Sequence, residues 1–561
     1  MKLLLVAVNA KYIHSNPAVY SLKAYASQYH DHIKIAEYTI NNRREEILAD
    51  LYQRCPDLIA FSCYIWNWDL IQGLFADIKK LLPNVIIWLG GPEVSFLPEE
   101  ILRQHVEVQG IMLGEGEETF LELTHYYIDK TCKIEEIAGI ITREGRTSPR
   151  KLLDMAKIPF LYHEPKVFEN RIIYYESSRG CPFRCSYCLS SIDKTVRLRD
   201  YELVKQELKY LLDKKVKQVK FVDRTFNCNH DHTIRIWEFL IKNDNGITNF
   251  HFEVSADILQ DDELKILSHM RPGLVQLEIG VQSTNPNTLK EIDRYADFET
   301  LKAAVSKIQS TDNIHIHLDL IAGLPYEDFA SFKKSFDEVY QMRPHQLQLG
   351  FLKILKGSKM HQKANDYGIT YSSHPPYEVF RTKWLDYDAI LTLKRIEEMV
   401  EIYYNSNQFT TTLRLLQTCF SSAFTMYYEL SRFYVEHEYH IKTPSRVARY
   451  EVLLQFASTI DSQYANLYAE ALTFDCYLRE NMKSRPVFSY QLDALKEEFR
   501  EIKKHRNITG KEKHLEPFYY PVWIDSNQVK MKKEKPWIIC FDYTKRNPLT
   551  YEAFYEEISY S

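Results

Sequence analysis

Residues 176–188 read Glu176-Ser177-Ser178-Arg179-Gly180-Cys181-Pro182-Phe183-Arg184-Cys185-Ser186-Tyr187-Cys188. Three cysteines fall at spacing C-x3-C-x2-C, just after the strand-like run Ile172-Ile173-Tyr174-Tyr175. Thiolates this close repel one another and oxidise readily unless a metal shares their charge, and they suit iron–sulfur clusters, zinc or copper(I). Structural zinc wants a closed set of four ligands, usually two separated pairs. Here the next cysteine, Cys228, stands alone far downstream. A 4Fe–4S cluster held by three cysteines leaves one iron open to a substrate or cofactor. Cys181, Cys185 and Cys188 are read as its ligands, ahead of a three-cysteine zinc site with a distant fourth ligand or a set of redox thiols.

Working downstream, six strand-like runs recur, each followed by a helix-compatible run. They are Arg171–Glu176, Val216–Val222, Asn249–Val254, Leu274–Ile279, Ile314–Ile321 and Gln346–Ile354. Six βα units are too many for a small doubly wound sheet and too few for a full eight-strand barrel. Residues 171–365 are therefore expected to form a partial (β/α)6 barrel with its site at the carboxyl ends of the strands. Those ends carry the cysteine loop, Asp223-Arg224-Thr225-Phe226, Glu253, the run from Glu278 to Gln282-Ser283, Gly323-Leu324-Pro325, and Lys356-Gly357-Ser358. Charged and glycine-bearing ends thus converge on the rim that holds the cysteines.

Working upstream, residues 1–145 alternate strands with helices. The strands are Leu3–Val8, His32–Tyr38, Asp57–Ser62, Asn84–Leu89 and Val106–Met112; the helices include Arg43–Gln53 and Leu70–Leu82. Right-handed crossovers make this a doubly wound, Rossmann-like parallel sheet, with ligands beyond the carboxyl ends of its strands. The loops there, Gly90-Gly91-Pro92-Glu93 and Gly114-Glu115-Gly116-Glu117, lack a Cβ at key positions and admit a large ligand. Neither is a G-x-G-x-x-G fingerprint, which argues against a dinucleotide. A linker, 146–170, is broken by Ser148-Pro149, Ile158-Pro159 and Glu164-Pro165.

The cysteine loop, with aromatic Tyr187 before its last cysteine, resembles the radical SAM signature, and the six strand ends resemble its elongator-protein-3/methylthiotransferase branch. The first 145 residues resemble the cobalamin-binding domain in front of many such enzymes. The resemblance implies three cofactors: a 4Fe–4S cluster, S-adenosylmethionine (SAM) and cobalamin. It implies SAM contacts at Tyr187, Asp223, Thr225, Phe226, Glu253, Glu278, Gln282, Ser283, Gly323 and Leu324. It implies cobalamin contacts at Asn9, Ser62, Tyr64, Gly90, Gly91, Glu93, Gly114, Glu115 and Glu117. Gln282 stands for the usual Glu of an E-S-G turn, and two further departures stand out. Arg224 replaces the usual second Asp of a D-D-T-F turn, and the D-x-H-x-x-G motif that supplies a cobalt-ligating histidine is absent. His14 sits in the corresponding first loop without the flanking Asp and Gly.

After Met360 the βα rhythm stops, and residues 366–561 are expected to form a mainly α-helical domain closed by a short β hairpin, Phe518–Ile524 with Pro536–Tyr543. No second cysteine cluster is present, which argues against sulfur insertion. The net charge of −5 gives no global case for nucleic acid or anionic membrane. Seven scattered cysteines suit a reducing compartment, and no run approaches a membrane span, so a cytoplasmic protein is expected. The reading is a radical SAM enzyme, expected to C-methylate a small-molecule or peptide substrate and to draw electrons from a donor such as flavodoxin or ferredoxin. A radical cyclase or rearrangement enzyme, or a non-catalytic redox or binding protein, is the alternative.

Overall fold

The computed structural model describes residues 1–163, 168–490, 495–506, 508, 512–524 and 527–558 of the 561-residue chain. Glu164-Pro165, expected to break the linker, lies outside them. The first sheet has seven strands: β1 Leu3–Asn9, β2 Ile33–Thr39, β3 Leu58–Ser62, β4 Ile86–Gly90, β5 Val108–Met112, β6 Ile140–Thr142 and β7 Gly145–Arg146, in the order β2-β1-β3-β4-β5-β6-β7. The first five pair in parallel. β1 and β3 are buried at every position, as strands covered by helices on both faces must be. The chain order reverses beside β1, which opens a crevice at the carboxyl ends of β1 and β3. Two features differ from the sequence expectation. β6 and β7 add an antiparallel edge to the parallel sheet. The helix expected over 70–82 is two pieces, Trp68–Gln72 and Phe75–Leu81, because Gly73 caps the first.

β8 Ile173–Tyr175 enters a second sheet and is followed by a small antiparallel ribbon, β9 Ser178–Arg179 with β10 Arg197–Leu198. The rest of that sheet is β11 Gln218–Phe221, β12 Asn249–Val254, β13 Val275–Gln282, β14 His315–Ala322 and β15 Gln346–Phe351. All six strands run parallel in sequential order, the partial barrel expected. Period-two alternation sets its two faces. On β12, Phe250, Phe252 and Val254 pack outward into the helical layer, so His251 and Glu253 turn into the lumen.

Beyond the barrel lie a two-stranded ribbon, β16 Thr370–Tyr371 with β17 Val379–Arg381, and the helices Tyr387–Met399, Thr410–Gln417, Ala423–Glu436, Ala448–Ile460 and Ala465–Arg479. The expected terminal hairpin is a three-stranded antiparallel sheet, β18 Lys513–Phe518, β19 Trp537–Arg546 and β20 Ala553–Ile558. Residues 519–524, expected as strand, turn away after Phe518, where Pro521 lacks the N–H that a ladder needs. One continuous apolar core runs from the barrel into these helices, whereas the first sheet has its own cores on its two faces. The C-terminal helices are thus built onto the barrel. Among the described residues no helix is long and apolar enough to cross a membrane.

Candidate active site

The cysteine loop is held from several directions. Gly180 has φ +95°, and a Cβ there would sit 1.7 Å from the Thr195 carbonyl oxygen, so only glycine makes the turn into Cys181. Downstream, the Ser186 N–H donates to the Ile292 carbonyl at 2.9 Å and the Met360 N–H donates to the Ser186 carbonyl at 2.8 Å. Upstream, Asp223 accepts from the Ser177 N–H at 3.0 Å and from the Ser177 and Ser178 hydroxyls at 2.6 Å each.

Cys181 and Cys185 are buried, Cys188 is half-buried, and all ten cysteines of the chain are free thiols. Sulfurs sharing one zinc ion lie about 4 Å apart, from Zn–S bonds of about 2.3 Å. Among the described residues the one set of three or more donor atoms within 4.8 Å of one another is Glu278, His317 and Asp319. The three cysteine sulfurs do not form such a set. Burial pushes the Cys185 thiol up, and Arg294, with Nη1 3.9 Å from its sulfur, opposes the rise. Arg294 also donates to the Gly280 carbonyl, and beside it the Gln282 Oε1 is buried without a partner, an acceptor left open next to the cysteine loop. The Thr225 hydroxyl lies 3.6 Å from the Cys181 sulfur, and the Tyr187 ring is half-buried near Cys185.

Inside the barrel, Lys220 Nζ and His251 Nε2 approach Glu278 Oε2 at 3.0 and 2.9 Å, and His317 Nε2 lies 3.0 Å from Asp319. Burial pushes the Glu278 carboxyl up, but His251 and Lys220 outweigh it and hold it down to about 2. Burial raises Glu253 to about 7, with Arg224 opposing.

Across from the barrel mouth, a cavity of about 570 Å³ opens between the carboxyl ends of the first sheet and the cysteine loop. Ser62, Tyr64, Gly90, Gly91, Gly114, Glu115 and Glu117 line one wall; Tyr174, Glu176, Arg179 and Arg224 line the other. Gly91 has φ +110° and packs against Cys63, where a Cβ would meet the carbonyl oxygen at 2.4 Å. Tyr64 stacks on Trp66 at 4.3 Å.

The two walls are bolted together by charge. Arg179 Nη2 reaches Glu117 at 2.6 Å, Nη1 reaches Glu115 at 3.3 Å, and Nε reaches Glu176 at 2.9 Å. Arg197 holds Glu115 at 2.5 Å. Burial pushes Glu117 up, but the Arg179 guanidinium outweighs it and holds the carboxyl below its usual range.

The structure gives several of the expected contact residues protein partners. Asn9 does not reach the cavity; it donates to the His14 carbonyl and to Glu37. Glu93 is turned away to accept from Tyr377 and Lys356 of the barrel side. Glu115 and Glu117 line the cavity, but their carboxylates are engaged by Arg179 and Arg197. Asp223 has both oxygens occupied by the serines. The Phe226 ring lies in an aromatic core with Phe221, Trp237 and Phe252, and Leu324 is buried in the same core. Ser283 donates to buried Glu327, and Gly323 packs against Val379. Glu278 lies inside the lumen, committed to Lys220 and His251. His14 Nδ1 sits 2.5 Å from the Tyr174 hydroxyl, which ties the first loop to β8 and takes that nitrogen from ligand duty.

Comparison with known proteins places these features. A family model described as the B12 binding domain matches residues 3–124, and one described as the radical SAM superfamily matches 175–339. The chain joins a B12-binding domain to a radical SAM domain. A third model, a protein of unknown function (DUF4080), matches residues 365–540. The cobalamin-dependent radical SAM methyltransferase TokK of Streptomyces tokunonensis is 24% identical over 56% of this chain and 50% of its own. The chain spans about half the length of the curated relatives it matches. Among solved structures, the cobalamin-dependent SAM radical enzyme OxsB, with aqua-cobalamin and SAM bound, superposes with a TM-score of 0.58 at 16% identity, covering 90% of this chain and 81% of that one. TsrM from Kitasatospora setae, a radical SAM methyltransferase with cobalamin and a [4Fe-4S] cluster bound, gives 0.55 at 15% identity, covering 67% and 79%. These likenesses establish the fold.

Proposed function

We propose that this chain is a cobalamin-dependent radical SAM enzyme that transfers a methyl group to carbon. The observation that carries the reading is the cavity itself, which has a glycine-looped B12-binding wall on one side and, on the other, residues that flank the three cysteines, Glu176 and Arg179 before them and Leu189 and Ser190 after. The division is at about residues 145, 170 and 365, with cobalamin bound before the linker, cluster and SAM in the barrel, and the C-terminal helices supporting the barrel.

When bound, the cluster and SAM supply a 5′-deoxyadenosyl radical and cobalamin supplies a methyl carrier. Cys181, Cys185 and Cys188 would hold the cluster. Arg294 places a positive charge beside Cys185, which favours its thiolate. Thr225, Tyr187 and the open Gln282 Oε1 offer polar contacts for SAM beside those cysteines. Ser62, Tyr64 and the backbone at Gly91 and Gly114 would hold cobalamin, with no protein histidine on the metal because no histidine lines the cavity among the described residues. Arg179 keeps the two walls in register and limits water between them, as radical chemistry requires. The electron comes from an external donor such as flavodoxin or ferredoxin, and the free thiols suit a reducing cytoplasm.

The test is anaerobic incubation of the loaded protein with reductant, methyl-labelled SAM and a small-molecule cell extract. Label on a carbon of a product, together with 5′-deoxyadenosine, supports the reading. 5′-Deoxyadenosine with a dehydrogenated or rearranged product and no label supports a cyclase or rearrangement instead. Neither product, from protein carrying a full cluster, refutes an enzyme of this class.

A further inference from the structure

Seven charged side chains line the interdomain cavity: Glu115, Glu117, Glu176, Arg179, Arg199, Glu207 and Arg224. Six are matched. Arg179 takes Glu115, Glu117 and Glu176, and Arg199 takes Glu207 at 2.6 Å. Arg224 is the exception. It stands on the turn after β11, is exposed into the cavity, and its guanidinium has no hydrogen bond or ion pair among the described residues. Its neighbours in charge are Tyr64 on the facing wall and Glu253 on the next strand of the barrel, so it points across the gap between the two domains.

We infer that Arg224 receives an anionic group, a carboxylate or a phosphate, of the substrate held in this cavity. The inference rests on the cofactor assignment above and adds a substrate class to it. A guanidinium presents a planar fork of donors that matches either anion in two parallel hydrogen bonds. Two other anions come near the site. SAM is assigned to the cysteine side beside Thr225, Tyr187 and Gln282, none of which lines this cavity, whereas Arg224 does. The cobalamin phosphate belongs to the nucleotide tail, and the glycine turns able to admit that tail are on the first-sheet wall, whereas Arg224 rises from the barrel wall.

The experiment is calorimetric titration of the reconstituted full chain, with cluster, SAM and cobalamin bound, using phenylacetate, phenyl phosphate and the neutral phenylacetamide. Wild type is expected to bind one of the two anions, which names carboxylate or phosphate, and to bind the amide at least tenfold more weakly. Arg224→Gln is expected to weaken anion binding about tenfold to hundredfold, with Arg224→Lys recovering part of the loss. Affinities for SAM and for hydroxocobalamin are expected to stay within about twofold. The inference is overturned if wild type binds neither anion, or if Arg224→Gln binds the anion as wild type does. It is overturned in favour of SAM if the variant loses tenfold in SAM affinity. It is overturned in favour of cobalamin if hydroxocobalamin binding falls while binding of cobinamide, which lacks the phosphate, does not. Failure of the cofactor assignment shows separately, as wild-type protein that takes up no cluster and no cobalamin.

Discussion

Replacing Arg179 with glutamine tests how the two domains are held together. The variant keeps length and polarity but removes the charge that bridges the B12-binding wall and the cysteine loop. Glu115 retains Arg197 at 2.5 Å, and Glu176 is the most exposed partner, so the residue left stranded is Glu117, whose side chain is 6% exposed. Orphaning one buried charge costs about 3–5 kcal/mol. The Ser21 hydroxyl still donates to Glu117 at 3.0 Å, which puts the expectation at the lower end, about 3 kcal/mol. At about 1.4 kcal/mol per tenfold, local opening becomes about a hundredfold more frequent. Hydrogen exchange by mass spectrometry reads this directly, because peptides covering 113–124 and 176–188 should lose that much protection while peptides of the C-terminal helices keep theirs. The double variant Arg179→Gln with Glu117→Gln should recover at least half of the loss, since no stranded charge remains. Unchanged protection in the single variant, or equal loss throughout the chain, would refute the clamp.

Gly180→Ala should leave the fold intact but abolish iron binding, because its Cβ would meet the Thr195 carbonyl at 1.7 Å; circular dichroism and iron content measure the two effects. Cys181→Ala should lose most of the iron, whereas Cys228→Ser should keep about four irons per chain, as expected for a cluster held by the three clustered cysteines. Reversed results would make Cys228 a ligand. Glu278 has a folded-state pKa held down to about 2 against an ordinary 4.5, so its contribution is complete above about pH 5 and is lost as the pH falls towards 2. Glu278→Gln should therefore lower the thermal midpoint at pH 7 and narrow its gap from wild type at pH 3.

The barrel was legible because its strands repeat and because charged and glycine ends fall at matching positions. The cysteine loop was legible because ligand spacing is local in the chain. The Arg179 clamp was not, since its first-sheet partners Glu115 and Glu117 lie more than sixty residues upstream, and Glu115-Gly116-Glu117 reads equally well as a ligand loop. The same holds for Asn9 and Glu93, whose positions were placed correctly at strand ends while their side chains turned to protein partners. Loop position predicts neighbourhood; orientation depends on which donors the fold brings near. The lumen pairs carry a visible signal in the sequence. His251-x-Glu253 and His317-x-Asp319 alternate with apolar residues at the strand period, which marks an inward polar face. Arg294 lies more than a hundred residues from Cys185, and no local pattern announces it.

The central claim is that three cysteines and a neighbouring SAM site form a radical-generating centre facing a cobalamin cavity. The most direct measurement is the 5′-deoxyadenosine formed by the anaerobically reconstituted full chain with SAM and dithionite, compared with Cys185→Ala. 5′-Deoxyadenosine is expected from wild type and none above background from the variant. Wild-type protein with a complete cluster and bound SAM that yields none, or a variant that yields as much as wild type, would contradict it.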